Sequence, residues 1–325
     1  MILLTGASGF LGRHLVQQLL EARYDVRALV RPQSNTAHLR RVGLQLAFAG
    51  DIGDREALRR ACRGCEGVVH AAGHFRMWGN LCHFWETNVG GTDAVLSAAL
   101  EAGVRRVVTV SSVVVVGRTE MGRVVEEGHA CRPQDHYQRT KLEAEQLALA
   151  YWRNCGLETV VARPGALYGP WGRYAFNRLF FEDPLCGWRI MVHGGQRVTF
   201  PAYAPDVARG IVLALQKGRA GAIYHLSGQS LSHRQVNGAV SDAAGISRWR
   251  LNAPAWPLLL LARLWTAASR YTGREPFYPR NLAYYVFQDW NVSSAKARAE
   301  LGFRPTPFAQ GARETVQWYR REGIL

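Results

Sequence analysis

Short apolar runs punctuate the chain at 2–4, 26–30, 44–48, 68–70, 107–110 and 159–162, with one more at 223–226. Their length and spacing mark them as strands. Between them, the stretches 10–22, 55–62, 84–102 and 137–155 read as helices, the first with Leu11, Leu15 and Leu19 on one face. Strand–helix alternation of this kind predicts an α/β fold, a doubly wound parallel sheet with right-handed crossovers. After Pro164 the alternation loosens and aromatics and prolines multiply, with Trp171, Trp188, Trp249, Trp256, Trp265 and Trp290 in this half. A smaller C-terminal substrate domain is expected there. Ligands should lie over the carboxyl ends of the strands, where the two parts meet.

The first run passes directly into Thr5-Gly6-Ala7-Ser8-Gly9-Phe10-Leu11-Gly12, with glycines spaced G-x-x-G-x-x-G. Such glycines permit a tight turn, close approach of backbone N–H groups to a pyrophosphate, and close helix–strand packing. A glycine triplet alone is weak, but the strand before it and helix after it supply the required context. The chain therefore divides into a Rossmann dinucleotide-binding domain, 1–165 with 204–227 returning to it, and a substrate domain, 166–203 and 228–325.

Tyr137 and Lys141 stand four residues apart in a chain whose 40 basic residues include three lysines, Lys141, Lys217 and Lys296. Where a generic cation would serve, this chain has arginine, so Lys141 marks a need for a compact ammonium. The i, i+4 spacing puts both groups on one helix face. An ammonium beside the phenol is expected to lower its pKa from ~10, making Tyr137 a usable acid or base.

Charge and cysteine content narrow the class. A net charge of +15 invites a nucleic-acid reading, but the arginines are scattered in pairs and no nucleic-acid motif appears. Solvated helix faces account for most of them. Cys62, Cys65, Cys82, Cys131, Cys155 and Cys186 lack a disulfide framework, and no second pair completes a metal site around Cys62 and Cys65. Free thiols in a reducing cytoplasm and no bound metal are expected. The N-terminus reads at once as a strand, with no charged leader before it, which fits a cytoplasmic enzyme.

Residues 5–12, Tyr137 with Lys141, Ser111-Ser112 after a Val-rich strand, His70-Ala71-Ala72-Gly73 and Arg163-Pro164-Gly165 resemble the extended short-chain dehydrogenase/reductase family. Segments 26–34 and 62–73 are most similar to its 3β-hydroxysteroid dehydrogenase and dihydroflavonol reductase branch, and to hopanoid-associated epimerases. The resemblance extends to 291–305 and so covers essentially the whole chain. It implies Ser112, Tyr137 and Lys141 as the catalytic set, with Ser112 chosen over Ser111 by its interval to Gly117. It implies dinucleotide contacts from Gly6, Ser8, Gly9, Phe10, Leu11, Gly12, Ala71, Ala72, Gly73, Asn88 and Pro164, besides Tyr137 and Lys141. Asp51 and Ile52 look like its adenine-contacting pair, and Asn88 supports the site through helix and water contacts.

The end of the second strand bears on the cofactor. Val30 stands where an NAD-selective site carries an acid, and Arg31 follows. A cation there suits a 2′-phosphate, so NADP(H) is expected and NAD(H) is the less favoured alternative; an ordinary exposed arginine is the plainer account. Nucleotide-sugar enzymes of the family commonly carry a cation where this chain has Thr199, although Arg197 could substitute. Phe75, Met77, Trp78, Trp171, Phe176 and Phe180 suit a hydrophobic alcohol or ketone. The expectation is a reductase of a steroid-, terpenoid- or lipid-like molecule. A nucleotide-sugar epimerase or dehydratase, and a non-catalytic NADP-binding regulator, are the alternatives.

Residues 254–271 form a leucine-rich run too short to span a bilayer, punctuated by Arg263 and Arg270 and followed by Arg274. The run reads as a buried substrate-domain helix, or as a lid resting on a membrane face. A small-molecule partner, no nucleic acid, and room for a homodimer complete the expectations.

Overall fold

The computed structural model describes residues 1–324, without the Arg270 side chain. Its centre is a seven-stranded parallel sheet built from β1 (Ile2–Thr5), β2 (Val26–Val30), β3 (Gln45–Phe48), β4 (Gly67–His70), β5 (Arg106–Val110), β6 (Glu158–Pro164) and β7 (Ile223–Leu226). The order is β7-β6-β5-β4-β1-β2-β3, with Ile2 in register with Val26 on one side and Gly67 on the other. The chain reverses its direction of travel across the sheet between β1 and β4. That switch point is where such sheets open a crevice for ligands.

Both sheet faces are covered, which explains why the strands read as continuous apolar runs. On one side α1 (Phe10–Glu21) packs against α5 (Ala204–Lys217), burying Leu15, Leu19, Val207 and Ile211. On the other, α2 (Arg55–Cys62), α3 (Gly91–Glu101) and α4 (His136–Cys155) bury Leu58, Val95, Leu96 and Ala148. A third core joins Phe176, Phe181, Tyr203 and Tyr168 to α6 (His233–Ala244) and α8 (Phe308–Arg321). Small two-stranded ladders, such as Ala166–Tyr168 with Pro201–Tyr203, tie this aromatic region to the sheet.

The expected helix over 84–102 is not continuous. A short helix, Leu81–Trp85, runs into a π-helical turn at Glu86–Gly90 before α3 begins. The cause is tertiary. Asn88 at the turn is held by the His74 backbone, its Oδ1 accepting from His74 N at 2.7 Å. Ile52 presses on the start of α3 so closely that a Cβ at Gly91 would lie 2.4 Å from its Cγ2.

The run at 254–271 forms α7 (Ala255–Thr272), between α6 and α8. Ala262 and Ser269 are buried, but Trp256, Leu260, Leu261, Leu264 and Trp265 are exposed, so the reading as a core helix is corrected. Of the arginines expected on its far side, Arg263 and Arg274 are exposed, while the Arg270 side chain lies outside the described residues.

Helix α4 is fixed at several points. Asp135 caps it through Oδ1, which accepts from Gln138 N at 2.8 Å, and Gly156 ends it at φ 73°. In its middle Glu145 meets Arg163 of β6 in a bidentate pair of 2.8 and 2.5 Å, with side chains 2% and 3% exposed. Removing one partner from such a pair strands a buried charge. Glu145→Ala should therefore lower the unfolding free energy by roughly 3–5 kcal/mol in urea titration; a loss below ~1 kcal/mol would mean that the pair does not anchor α4.

Candidate active site

The site begins where β1 meets α1. Gly6 has φ 76°, and a Cβ there would lie 2.7 Å from Ala72 N and 2.8 Å from Ala71 C. A Cβ at Gly12 would lie 2.0 Å from Gly6 O. Both positions therefore demand glycine, because backbone occupies the side-chain volume. Gly9 opens α1 with no side-chain cap. The first N–H groups of the helix are thus left for an anion, which fits a dinucleotide pyrophosphate.

A polar relay behind the turn holds β1 to β4. Thr92 Oγ1 donates to Asn88 O at 2.6 Å, so it can accept from His70 Nε2 at 3.0 Å. The other ring nitrogen, Nδ1, then accepts from Thr5 Oγ1 at 2.8 Å, and Thr5 Oγ1 accepts from Ala72 N at 3.2 Å. This pattern requires a neutral imidazole. Burial, with Lys141 adding a smaller push, lowers the His70 pKa to about 3.

The expected chemical groups come together over the ends of β4, β5 and β6. Gly9, Phe10, Leu11, Ala71, Gly73, Ser112, Tyr137, Lys141 and Pro164 line one cleft of about 460 Å³. Lys141 Nζ donates to Val110 O at 2.5 Å, and burial lowers its pKa to about 8. The expectation that Lys141 lowers the Tyr137 pKa is corrected. Burial pushes the phenol up, the Asp135 carboxylate adds to the rise, and a hydrogen bond with Ser112 opposes it. Tyr137 is thereby held as a protonated phenol at neutral pH.

Other expected contacts lie outside this cleft. Gly6 and Gly12 shape the turn from behind. Ser8 lines an adjoining groove with Phe10, Arg13, Trp171 and Arg173. Ala72 faces the relay. Arg31 is exposed beyond β2; its carbonyl accepts from Ser34 N at 3.0 Å, while its side chain makes no hydrogen bond or ion pair among the described residues. Asp51 is exposed and accepts from Gly53 N at 2.6 Å, while Ile52 packs on Gly91. Asn88 is buried and committed to protein, since its Nδ2 donates to His74 O at 3.2 Å and Thr140 Oγ1 at 3.0 Å. It shapes the site by joining the end of β4 to α4.

Of the neighbours, Tyr285 and His233 were not legible from motifs, whereas Ser111 and Phe75 stand in segments singled out above. Ser111 also lines the cleft, its buried Oγ unpartnered among the described residues. Tyr285 comes from 150 residues away and donates to Asp135 Oδ2 at 2.6 Å. Phe75 lies against Tyr137, ring centroids 4.7 Å apart. His233 reaches the far wall with its pKa lowered to about 4 by burial. Of the aromatic set read from sequence, Phe75, Met77, Phe176 and Phe180 line the cleft, whereas Trp78 and Trp171 do not.

Comparison with known proteins adds a family context. The family described as the NAD dependent epimerase/dehydratase family matches residues 2–227. The "Sterol demethylase protein B" of Methylococcus capsulatus is 31% identical, over 99% of both chains. The "4-hydroxy-2-methyl-3-oxo-4-farnesyl-3,4-dihydroquinoline-1-oxide ketoreductase" of Stigmatella aurantiaca is 31% identical, over 92% of this chain and 90% of its own. Among solved structures, a dTDP-glucose 4,6-dehydratase from Streptomyces venezuelae with NAD and DAU bound superposes with a TM-score of 0.80. It is 30% identical and covered, like this chain, over 100% of its length.

The buried imidazoles give the fold a defined acid response. Burial lowers the pKa of His14 and His233 to about 4, and of His70 and His225 to about 3. Each stays neutral in the fold but takes a proton in the unfolded chain below ~6.5. Their contribution is full above that value and is lost as pH falls towards the folded values. Each should remove up to ~1.4 kcal/mol per pH unit well below 6.5. Denaturant titrations at pH 7 and pH 5 check this, and equal stabilities would contradict it.

Proposed function

The chain belongs to the NAD-dependent epimerase/dehydratase family, and from that premise we propose an NADP-preferring oxidoreductase that interconverts a ketone and a secondary alcohol on an apolar molecule. The observation that carries this reading is the apolar lining of the cleft around Tyr137. Phe75, Met77, Phe176, Leu179, Phe180, Phe200 and Val286 form it. Arg76 and Arg173, the arginines of the cleft, each face a carboxylate, Glu275 at 3.5 Å and Glu182 at 2.5 Å. Arg197 is paired with Asp289 at 3.0 Å and lines a different groove. These arginines already face carboxylates, and a steroid-, terpenoid- or lipid-like body needs no cation at all. The names of the sterol demethylase and farnesyl ketoreductase relatives support the same class.

A bound reduced nicotinamide supplies the hydride. The protein supplies position and the proton. Ser112 Oγ orients the carbonyl oxygen, and Tyr137 Oη gives it a proton. Burial suits Tyr137 to this donor role by keeping the phenol protonated until the oxygen gains charge. Lys141, one turn along α4, offers the compact cation that stabilises the phenolate left behind. Phe75 shields the phenol from one side.

Arg31 supports NADP preference. It stands at the end of β2 without a partner among the described residues, where Val30 offers no acid to repel a 2′-phosphate. The dehydratase relative favours a second reading, transient hydride transfer on a nucleotide sugar. A thermal-shift comparison of NADPH, NADH and dTDP-glucose separates the two, the first reading expecting the largest shift from NADPH. A non-catalytic regulator has no need of the Ser112–Tyr137–Lys141 set.

Tyr137→Phe should lower ketone turnover by a factor of roughly 10² or more with NADPH affinity nearly unchanged, measured by steady-state assay and calorimetry. Near-wild-type turnover would sink the proton-donor role. Arg31→Ala should weaken NADPH binding by about 1–3 kcal/mol and leave NADH unaffected. An unchanged NADPH/NADH ratio would reduce Arg31 to a surface residue.

A further inference from the structure

Helix α7 has two apolar sides, and only one is covered by protein. Its inner side, Leu258, Leu259 and Ala262, roofs a chamber of about 150 Å³. Leu179, Phe180, His233, Leu282 and Val286 line both this chamber and the catalytic cleft. The two spaces therefore meet across one layer of side chains, and its titratable member, His233, is neutral.

The outer side is bare. Trp256, Leu260 and Leu264 recur at intervals of four, with Trp256 68% and Leu264 58% exposed. Exposed Trp265 continues through Phe277, at a ring distance of 5.8 Å, to exposed Trp188 at 6.2 Å. Beside them, Ile190 pairs in register with Leu251, both exposed. A contiguous apolar surface of this kind marks an interaction site.

Charge identifies the partner. Between Asp242 and Glu275 the sequence has no acidic residue and five arginines, at 248, 250, 263, 270 and 274. Arg248 is spoken for by Asp242 and Arg250 is buried, but exposed Arg263 and Arg274 make no ion pair among the described residues. No described helix is long and apolar enough to cross a membrane. An exposed apolar face with tryptophans and unpaired arginines instead fits a helix lying in the interface of an anionic bilayer.

We propose that α7 docks the protein on an anionic lipid surface, and that the chamber beneath it admits an apolar substrate from the bilayer to Tyr137. The access route rests on the apolar-substrate reading; the docking does not. The test is co-sedimentation of the full chain with phosphatidylcholine vesicles, with and without phosphatidylglycerol. The protein should pellet with the anionic vesicles at low salt, and several-fold less with phosphatidylcholine alone or at high salt. A Leu260→Glu/Leu264→Glu variant should stay in the supernatant, keep its melting temperature, and reduce a short water-soluble ketone at the wild-type rate. It should lose several-fold on a long-chain ketone presented in the vesicles.

Wild-type protein in the supernatant at low salt would overturn the docking, as would a variant that pellets normally. A wild-type dimer that the variant splits, seen by light scattering without vesicle binding, would overturn it in favour of a second copy of the chain. Pelleting without turnover of any ketone would overturn the access route and the substrate reading while upholding the docking. Ketone turnover without pelleting would overturn the docking alone.

Discussion

Backbone meets backbone at the switch point of the sheet, and the site depends on that contact. With Gly6 pressed on Ala71 and Ala72, and Gly12 on Gly6 O, the turn after β1 can expose the first N–H groups of α1. The relay from Thr5 through His70 and Thr92 to Asn88 O uses side chains to hold what the glycines permit. It also reaches the π-helical turn, so the glycine turn after β1 and the start of α3 are set by one connected network. Every polar member of it is satisfied in a low-dielectric interior, where an orphan would cost most.

Burial then decides the proton inventory. The Tyr137 phenol lies on α4, whose position is set by the Asp135 cap, the Glu145–Arg163 pair and the bond from Asn88 to Thr140. In that setting desolvation, reinforced by the Asp135 carboxylate, keeps Tyr137 protonated, and desolvation brings Lys141 down to about 8. Asp135 is itself shared between the helix cap and Tyr285, so the remote segment that carries Tyr285 is tied to the start of α4 through one carboxylate.

The architecture was legible because its signals are local. Runs such as Gly67–His70 are buried on both faces and need no partner to be recognised as strands. The same holds for the glycine turn and for Tyr137 with Lys141, whose spacing carries their meaning. What escaped reading was set by distant contacts. The break at Glu86–Gly90 follows from Asn88 reaching His74, and Tyr285 arrives from a remote segment. Spacing reveals a charge near Tyr137 but not the depth of burial, which sets the direction of its shift. In α7, leucines occupy every side of the helix, so the pattern alone could not say which side lacks a partner.

Net hydride transfer to an apolar ketone is the central claim. It is tested most directly by incubating the enzyme with 4-deuterated NADPH and a panel of steroid and terpenoid ketones, then following the label by mass spectrometry. The account predicts one deuterium retained at the carbinol carbon of the product, with stoichiometric oxidation of the cofactor. Conversion of a nucleotide sugar without net cofactor oxidation, and no label in any apolar product, would contradict it.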